Sequence, residues 1–332
     1  VLGAEIKHIE YYLPKKKFTN DDLKKKFPNT DISKVEKIGI KSRHISDKKE
    51  TSLDLAYMAA LKVFKQFDKK DVDFILFCTQ TPDYILPTSA CILQSKLGLN
   101  KEIGALDFNL GCSGYVYGLS LAKGLITASI ASNVLLLTGE TYSKLINKRD
   151  RANCSIFGDA GSATLISKTD SNKIFNFNLG TDGSGAKNLI VKNGGFKYKK
   201  ELNSKTLKYG SGNYYSDNDL YMNGPEIFNF TIKNIPSLIE KILLSNNCSL
   251  EYIDFFIFHQ ANKFMLNYLR KKINIPTSKF YIDIESVGNT VSNTIPIALN
   301  DAMRKGLISK DDNVLIAGFG VGYSWGGTII KI

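Results

Sequence analysis

The sequence predicts an α/β protein made of two similar halves, in each of which mostly buried sheets lie between helices. Two observations carry this. Continuous apolar runs that read as buried strands alternate with stretches of helical spacing. Three segments of the first half also recur in the second, in order: "DFILFCTQ" (73–80) as "DFFIFHQA" (254–261), "KGLI" (123–126) as "KGLI" (305–308), and "NVLLLTG" (133–139) as "NVLIAGF" (313–319). The offsets are 180 to 182 residues, the signature of an internal duplication. The halves are expected at 1–170 and 171–332, with a site where strand ends from both converge.

The elements follow in order. "ALDFNL" (105–110) reads as a strand, Gly111 permits a tight turn, and "SGYVYGLSLAKGLI" (113–126) has helical apolar spacing. Cys112 sits at that join, a nucleophile elbow with Cys in place of Ser. A helix N-terminus there is expected to lower the thiol pKa and to offer N–H groups to an oxyanion. The other reading is a small buried residue at a crowded corner, the role expected of Cys78 and Cys154.

Residues 183–221 turn polar and rich in Gly, Tyr and Lys, a surface excursion rather than a linker. His259 ends the strand "DFFIF" and opens "HQANKFMLNYLRKK", which reads as a helix. A strand end in the second half lets it face the first half's elbow, whereas His8 and His44 read as structural or surface groups. Asn289, in "ESVGNTVSNTIPIALNDAMRKG", follows a glycine turn and precedes a helix with Pro296 near its first turn. It is either a cap or a neutral donor in a site. The C-terminal "AGFGVGYSWGGTII" would let backbone amides approach a ligand closely.

Composition bounds the function. With 332 residues, 43% of them hydrophobic, the chain can bury a large core. Five cysteines without a CxxC pair suggest neither a disulfide frame nor a zinc site, and fit a reducing cytoplasm. "VLGAEIKHIE" meets charge too early for a signal peptide, and no apolar run reaches spanning length, so a soluble protein without a membrane role is expected. The net charge of +12 is mostly scattered lysine with no nucleic-acid motif beside it. A basic face for an acidic partner or a phosphate-bearing ligand is the better expectation.

Over the whole chain the sequence resembles the β-ketoacyl-acyl-carrier-protein synthase III family of thiolase-fold condensing enzymes. "GCSGYVYGL" resembles its nucleophile motif, "FHQAN" its histidine motif and "GNTVSNTIPIAL" its asparagine motif; "IFGDAGSATLI" and "GFGVGYSWG" match further signatures. The resemblance implies a layered α-β-α-β-α sandwich of two βαβαβαββ-type halves. It implies that Cys112 takes an acyl group from a thioester, with the N–H groups of Cys112 and Val321 holding the oxyanion. His259 and Asn289 would then stabilise, as neutral donors, the enolate left when a malonyl thioester loses CO2. The alternative is an acyltransferase passing the acyl group from Cys112 to an alcohol or amine.

The resemblance further implies thioester and carrier contacts from Lys37, Arg151, Gly224, Phe228, Gln260, Ala261, Asn262, Lys263 and Phe264. Leu86 and Phe157 would shape the acyl pocket, Leu86 that of the neighbouring subunit, so a homodimer is expected. No cofactor is implied beyond pantetheine-bearing substrates, on acyl carrier protein or coenzyme A. The family's adenine-stacking tryptophan falls at Ser33 and the arginine after it at Lys37, while Arg151 is kept. That departure favours a protein-borne acyl donor, met by a basic face of Lys263, Arg270, Lys271 and Lys272.

Overall fold

The structure, a computed structural model, describes residues 2–332, apart from the side chains at 32 and 34. Two sheets form its frame. The first has five strands in the order Gly3–Tyr12, Ala160–Thr169, Asn133–Glu140, Phe74–Cys78, Gly104–Phe108. The second has four, in the order Asn178–Thr181, Ser324–Lys331, Asn313–Gly320, Phe255–Phe258. In each, two antiparallel pairings are followed by a parallel one. The repeat in the sequence is therefore a repeat of topology. The fifth strand has a vestige in the second half, where Phe280 makes an isolated parallel bridge to Phe256.

The layers follow from which helix faces are apolar. Gly114–Thr127 and Thr294–Arg304 lie between the sheets: Tyr115, Leu119, Ile295 and Leu299 share one core with Leu76 and Val134 of the first sheet and Ile257 and Val314 of the second. The latter helix is buried continuously from Thr294 to Asn300, as a middle layer requires. Ser52–Val63 and Ser89–Leu97 cover the outer face of the first sheet. Gly224–Ser245 and Lys263–Lys272 cover that of the second. The result is the five-layer α-β-α-β-α sandwich, with each fully buried Leu or Ile contributing roughly 1.5–3 kcal/mol.

The excursion is more ordered than its composition suggests. Leu189–Val191 pairs with Leu220–Met222, and Leu207–Tyr209 with Asn213–Tyr215. The helix after His259 starts only at Lys263, because the Asn262 side chain caps it by accepting the Met265 N–H at 2.8 Å. That leaves residues 259–261 as a turn facing inward. No described helix is long and apolar enough to cross a membrane.

Candidate active site

Cys112 lies where the strand Gly104–Phe108 turns into the helix Gly114–Thr127, at the join between the sheets. The elbow is latched to the last strand by a 2.6 Å bond between the Ser113 and Ser324 hydroxyls. Room for the sulfur comes from Gly320: a Cβ there would stand 2.8 Å from Cys112 Cβ and 2.9 Å from its Sγ. The N–H groups of Cys112 itself and of Val321 are directed at the sulfur. The two amides expected to form an oxyanion hole thus converge on the nucleophile.

The expected depression of the thiol pKa is not found. Burial first, and the nearby Glu140 carboxyl second, push Cys112 up to about 12, outweighing the two N–H groups. Only 6% of the residue is exposed, so desolvation of a thiolate dominates the helix terminus. Glu140 is itself buried and held well above the usual carboxylate range; it accepts from the Gln80 N–H and the Thr81 and Ser292 hydroxyls. The resting nucleophile is a neutral thiol and needs a proton acceptor. Cys78 is fully buried, its thiol donating to the Leu110 carbonyl at 3.0 Å, and reads as packing.

His259 lines the same cavity as Cys112. Burial depresses its pKa to about 3, so the imidazole is neutral. Its Nδ1 is 2.7 Å from Thr294 Oγ1, and that hydroxyl donates its one proton to the Val291 carbonyl at 3.1 Å. Thr294 therefore accepts from Nδ1–H, which leaves a lone pair on Nε2 toward the cavity. This hydrogen-bond assignment makes Nε2 of His259 an acceptor in the resting site; the donor role expected toward an enolate calls for the other tautomer. Asn289 is oriented by its Oδ1, which accepts the Val291 N–H at 2.9 Å. Its Nδ2 consequently faces Nε2 of His259 at 3.5 Å and donates one N–H to it, leaving the other to donate into the cavity.

The segment holding Asn289 is strained and braced. Val291 has φ 58, an outlier for a β-branched residue that costs about 1–3 kcal/mol. Asn289 is bridged to Phe157 across backbone bonds, from its N–H to Ile156 O at 2.9 Å and from the Gly158 N–H to its carbonyl at 3.0 Å. Cys112, His259 and Asn289 all open on one cavity of about 130 Å³. Phe157, Leu189, Met222 and Ile227 give it apolar walls.

The remaining expected residues divide. Gly224, Ala261 and Asn262 line the cavity with them. Phe228 stacks on Phe264 at 5.7 Å, both outside the lining, and Phe264 is 62% exposed. Gln260 is turned away: its amide donates to the Phe258 and Tyr281 carbonyls and accepts the Asp283 N–H, bracing the strand end. Lys37 and Lys263 are exposed, and Lys263 anchors its helix through its own N–H to the Ile38 carbonyl. Arg151 donates to the Ser211 carbonyl at 3.1 Å. Leu86 projects from the surface, 79% exposed, away from its own chain's cavity. Arg270 leaves the expected basic face, since its guanidinium is bent back to the Ile275 carbonyl at 2.9 Å. Thr294, Glu140 and Gly320 were not singled out from sequence; their roles depend on neighbours 35, 28 and 208 positions away in the chain.

Two models of the 3-oxoacyl-[acyl-carrier-protein] synthase III family match the chain, the C-terminal one at residues 243–332 and the other at 106–183. The β-ketoacyl-[acyl-carrier-protein] synthase III of Fusobacterium nucleatum is 35% identical over 329 residues, 98% of each chain. That of Clostridium perfringens is 37% identical over 324 residues, 97% of each. A crystal structure of a 3-oxoacyl-(acyl-carrier-protein) synthase III superposes with a TM-score of 0.97 at 46% identity, covering 99% of this chain and 100% of that one. With its fold, its elbow cysteine and its facing histidine and asparagine, the chain belongs to the β-ketoacyl-acyl-carrier-protein synthase III family.

Proposed function

We infer that the protein catalyses a decarboxylative Claisen condensation between an acyl thioester and a malonyl-acyl-carrier-protein, through an acyl-Cys112 intermediate. The observation that carries this is the convergence of Cys112, His259 and Asn289, from both halves, on one cavity. In the first half-reaction His259 Nε2 takes the thiol proton as Sγ attacks the thioester carbonyl. The N–H groups of Cys112 and Val321 hold the oxyanion, and the departing pantetheine thiolate takes the proton back from Nε2. In the second, loss of CO2 from the malonyl thioester leaves an enolate whose oxygen accepts from Asn289 Nδ2. His259 joins as donor once its neutral ring exchanges tautomer between the half-reactions: Nδ1 gives its proton to solvent, Nε2 takes one from solvent, and the Thr294 hydroxyl turns to donate to Nδ1. The enolate carbon attacks the acyl carbonyl and Cys112 leaves as thiolate, giving a β-ketoacyl product; a proton from solvent then restores the thiol.

The reading extends to a homodimeric, cytoplasmic enzyme that takes its acyl group from a carrier protein. Gly104–Phe108 is an edge strand with Leu106 47% exposed, and Ile85 and Leu86 are 71% and 79% exposed beside it in sequence order. Such an edge and apolar loop fit a second copy. At the expected adenine site Ser33 offers only a hydroxyl, which donates to Asp31 at 2.6 Å, and Arg151 is engaged with Ser211. A missing aromatic stack weakens coenzyme A by about 1–3 kcal/mol.

Labelled acyl thioesters on both carriers, with and without malonyl-carrier protein, test the reading. A β-ketoacyl product that requires malonyl-carrier protein is expected, with higher kcat/KM for the protein-borne acyl group. Transfer of label to an alcohol or amine without CO2 release would establish the acyltransferase alternative instead.

A further inference from the structure

A second cavity of about 270 Å³ lies behind the site, lined by Lys16, Phe18, Lys26, Ile45, Ser143, Ile146, Cys154 and Phe157. Its floor is apolar, from Phe18, Ile45, Ile146 and Phe157. Its rim carries two exposed cations, Lys16 and Lys26, and no carboxylate forms an ion pair with either among the described residues. Lys26 Nζ donates to the Cys154 thiol at 3.5 Å, its only hydrogen-bond partner among the described residues. Phe157 lines both the Cys112 chamber and this cavity. Its backbone is the one bridged to Asn289.

We propose that this cavity is a second binding site for an amphiphile with an acyl tail and an anionic head, and that its occupation is felt at the condensing site through Phe157. An apolar floor under two ammonium groups that are in no ion pair among the described residues suits a chain of several methylenes ending in a carboxylate or phosphate. Burying each methylene contributes about 0.8 kcal/mol, so a medium-length tail gains most where the floor is widest. A tail pressed on the Phe157 ring displaces the segment that orients Asn289, the enolate donor, without entering the chamber of Cys112. The binding half of the proposal stands whether or not the condensation reading holds.

Cys154 is a reporter within the cavity. Octanoate and octyl phosphate are the probes, with octan-1-ol as the neutral control, and the alkylation rate of Cys154 by iodoacetamide is read by peptide mass. Both anions are expected to slow Cys154 alkylation about tenfold or more while leaving Cys248 unaffected; whichever protects at lower concentration names the preferred head group. Lys16→Glu/Lys26→Glu, two surface changes, should abolish protection, as should Ile45→Trp, which fills the floor. In condensation assays octanoate should lower kcat without raising KM for the acyl donor, and not do so in the lysine double variant. No protection, equal protection by octan-1-ol, protection surviving in Lys16→Glu/Lys26→Glu, or inhibition competitive with the acyl donor would overturn the proposal.

Discussion

The Thr294 hydroxyl sits 2.7 Å from Nδ1 of His259 and is, among the described residues, the only side-chain hydrogen-bond partner on that side of the ring. Because it donates to the Val291 carbonyl, it decides which imidazole nitrogen carries the proton. Thr294→Val keeps the shape and removes the hydroxyl. Both half-reactions should fall about tenfold, the effect of one lost hydrogen bond to a reacting group, and Thr294→Ser should restore them. The ¹⁵N shifts of His259 should move from the Nδ1–H pattern toward a tautomer mixture in Thr294→Val; an unchanged pattern would show that the ring is held by something else.

Gly320→Ala puts a methyl group where Cys112 Cβ and Sγ already stand, at 2.8 and 2.9 Å. The sulfur must shift by a few tenths of an ångström or more, away from the N–H groups that surround it. Acylation should drop on the order of 100-fold, the scale of a misplaced reacting atom. Thermal unfolding checks that the fold persists, and intact mass after acyl-thioester incubation reads the acylation.

Cys112→Ala should abolish uptake of an acyl label, while Cys78→Ala and Cys154→Ala should retain it. Cys78 is tied to Leu110 and Cys154 lies behind Phe157, so neither faces the chamber. Mass mapping of the labelled peptide decides it.

Asn289→Ala and His259→Ala should separate the half-reactions. Asn289 only donates into the cavity, so its loss should spare acylation and cost condensation on the order of 100-fold. His259 accepts the thiol proton as well, and its loss should depress both. Single-turnover acylation and CO2 release, measured separately, distinguish the two.

The pH dependence follows from His259. Its pKa in the folded chain is about 3, far below an ordinary histidine near 6.5. The unfolded chain therefore binds the extra proton first as pH falls, so this residue's contribution to stability is complete above about pH 6.5 and is lost progressively between there and about 3. Urea titrations of the wild type and His259→Gln across that range should show the wild type losing more stability on acidification. Acylation, in turn, should show no histidine ionisation near neutrality.

Legible in the sequence by itself were the duplication, the sheets buried between helices, and the local settings of Cys112, His259 and Asn289. Each rests on local patterning or on motif: an apolar run that must be buried, the Gly111 turn before Cys112, the strand end at His259 and the glycine turn before Asn289. The Val321 amide came from the family resemblance rather than from the glycine-rich loop that holds it. What the sequence did not determine are properties set by distant neighbours. The Cys112 pKa follows from burial and Glu140 rather than from the helix terminus beside it, because desolvating a thiolate costs more than one helix end returns. The proton on His259 follows from Thr294, Gln260 is spent on the strand of its own half, and Arg270 closes its own helix instead of facing a partner. Each of these depends on which buried polar group finds which partner, and only the tertiary packing of the two halves decides that.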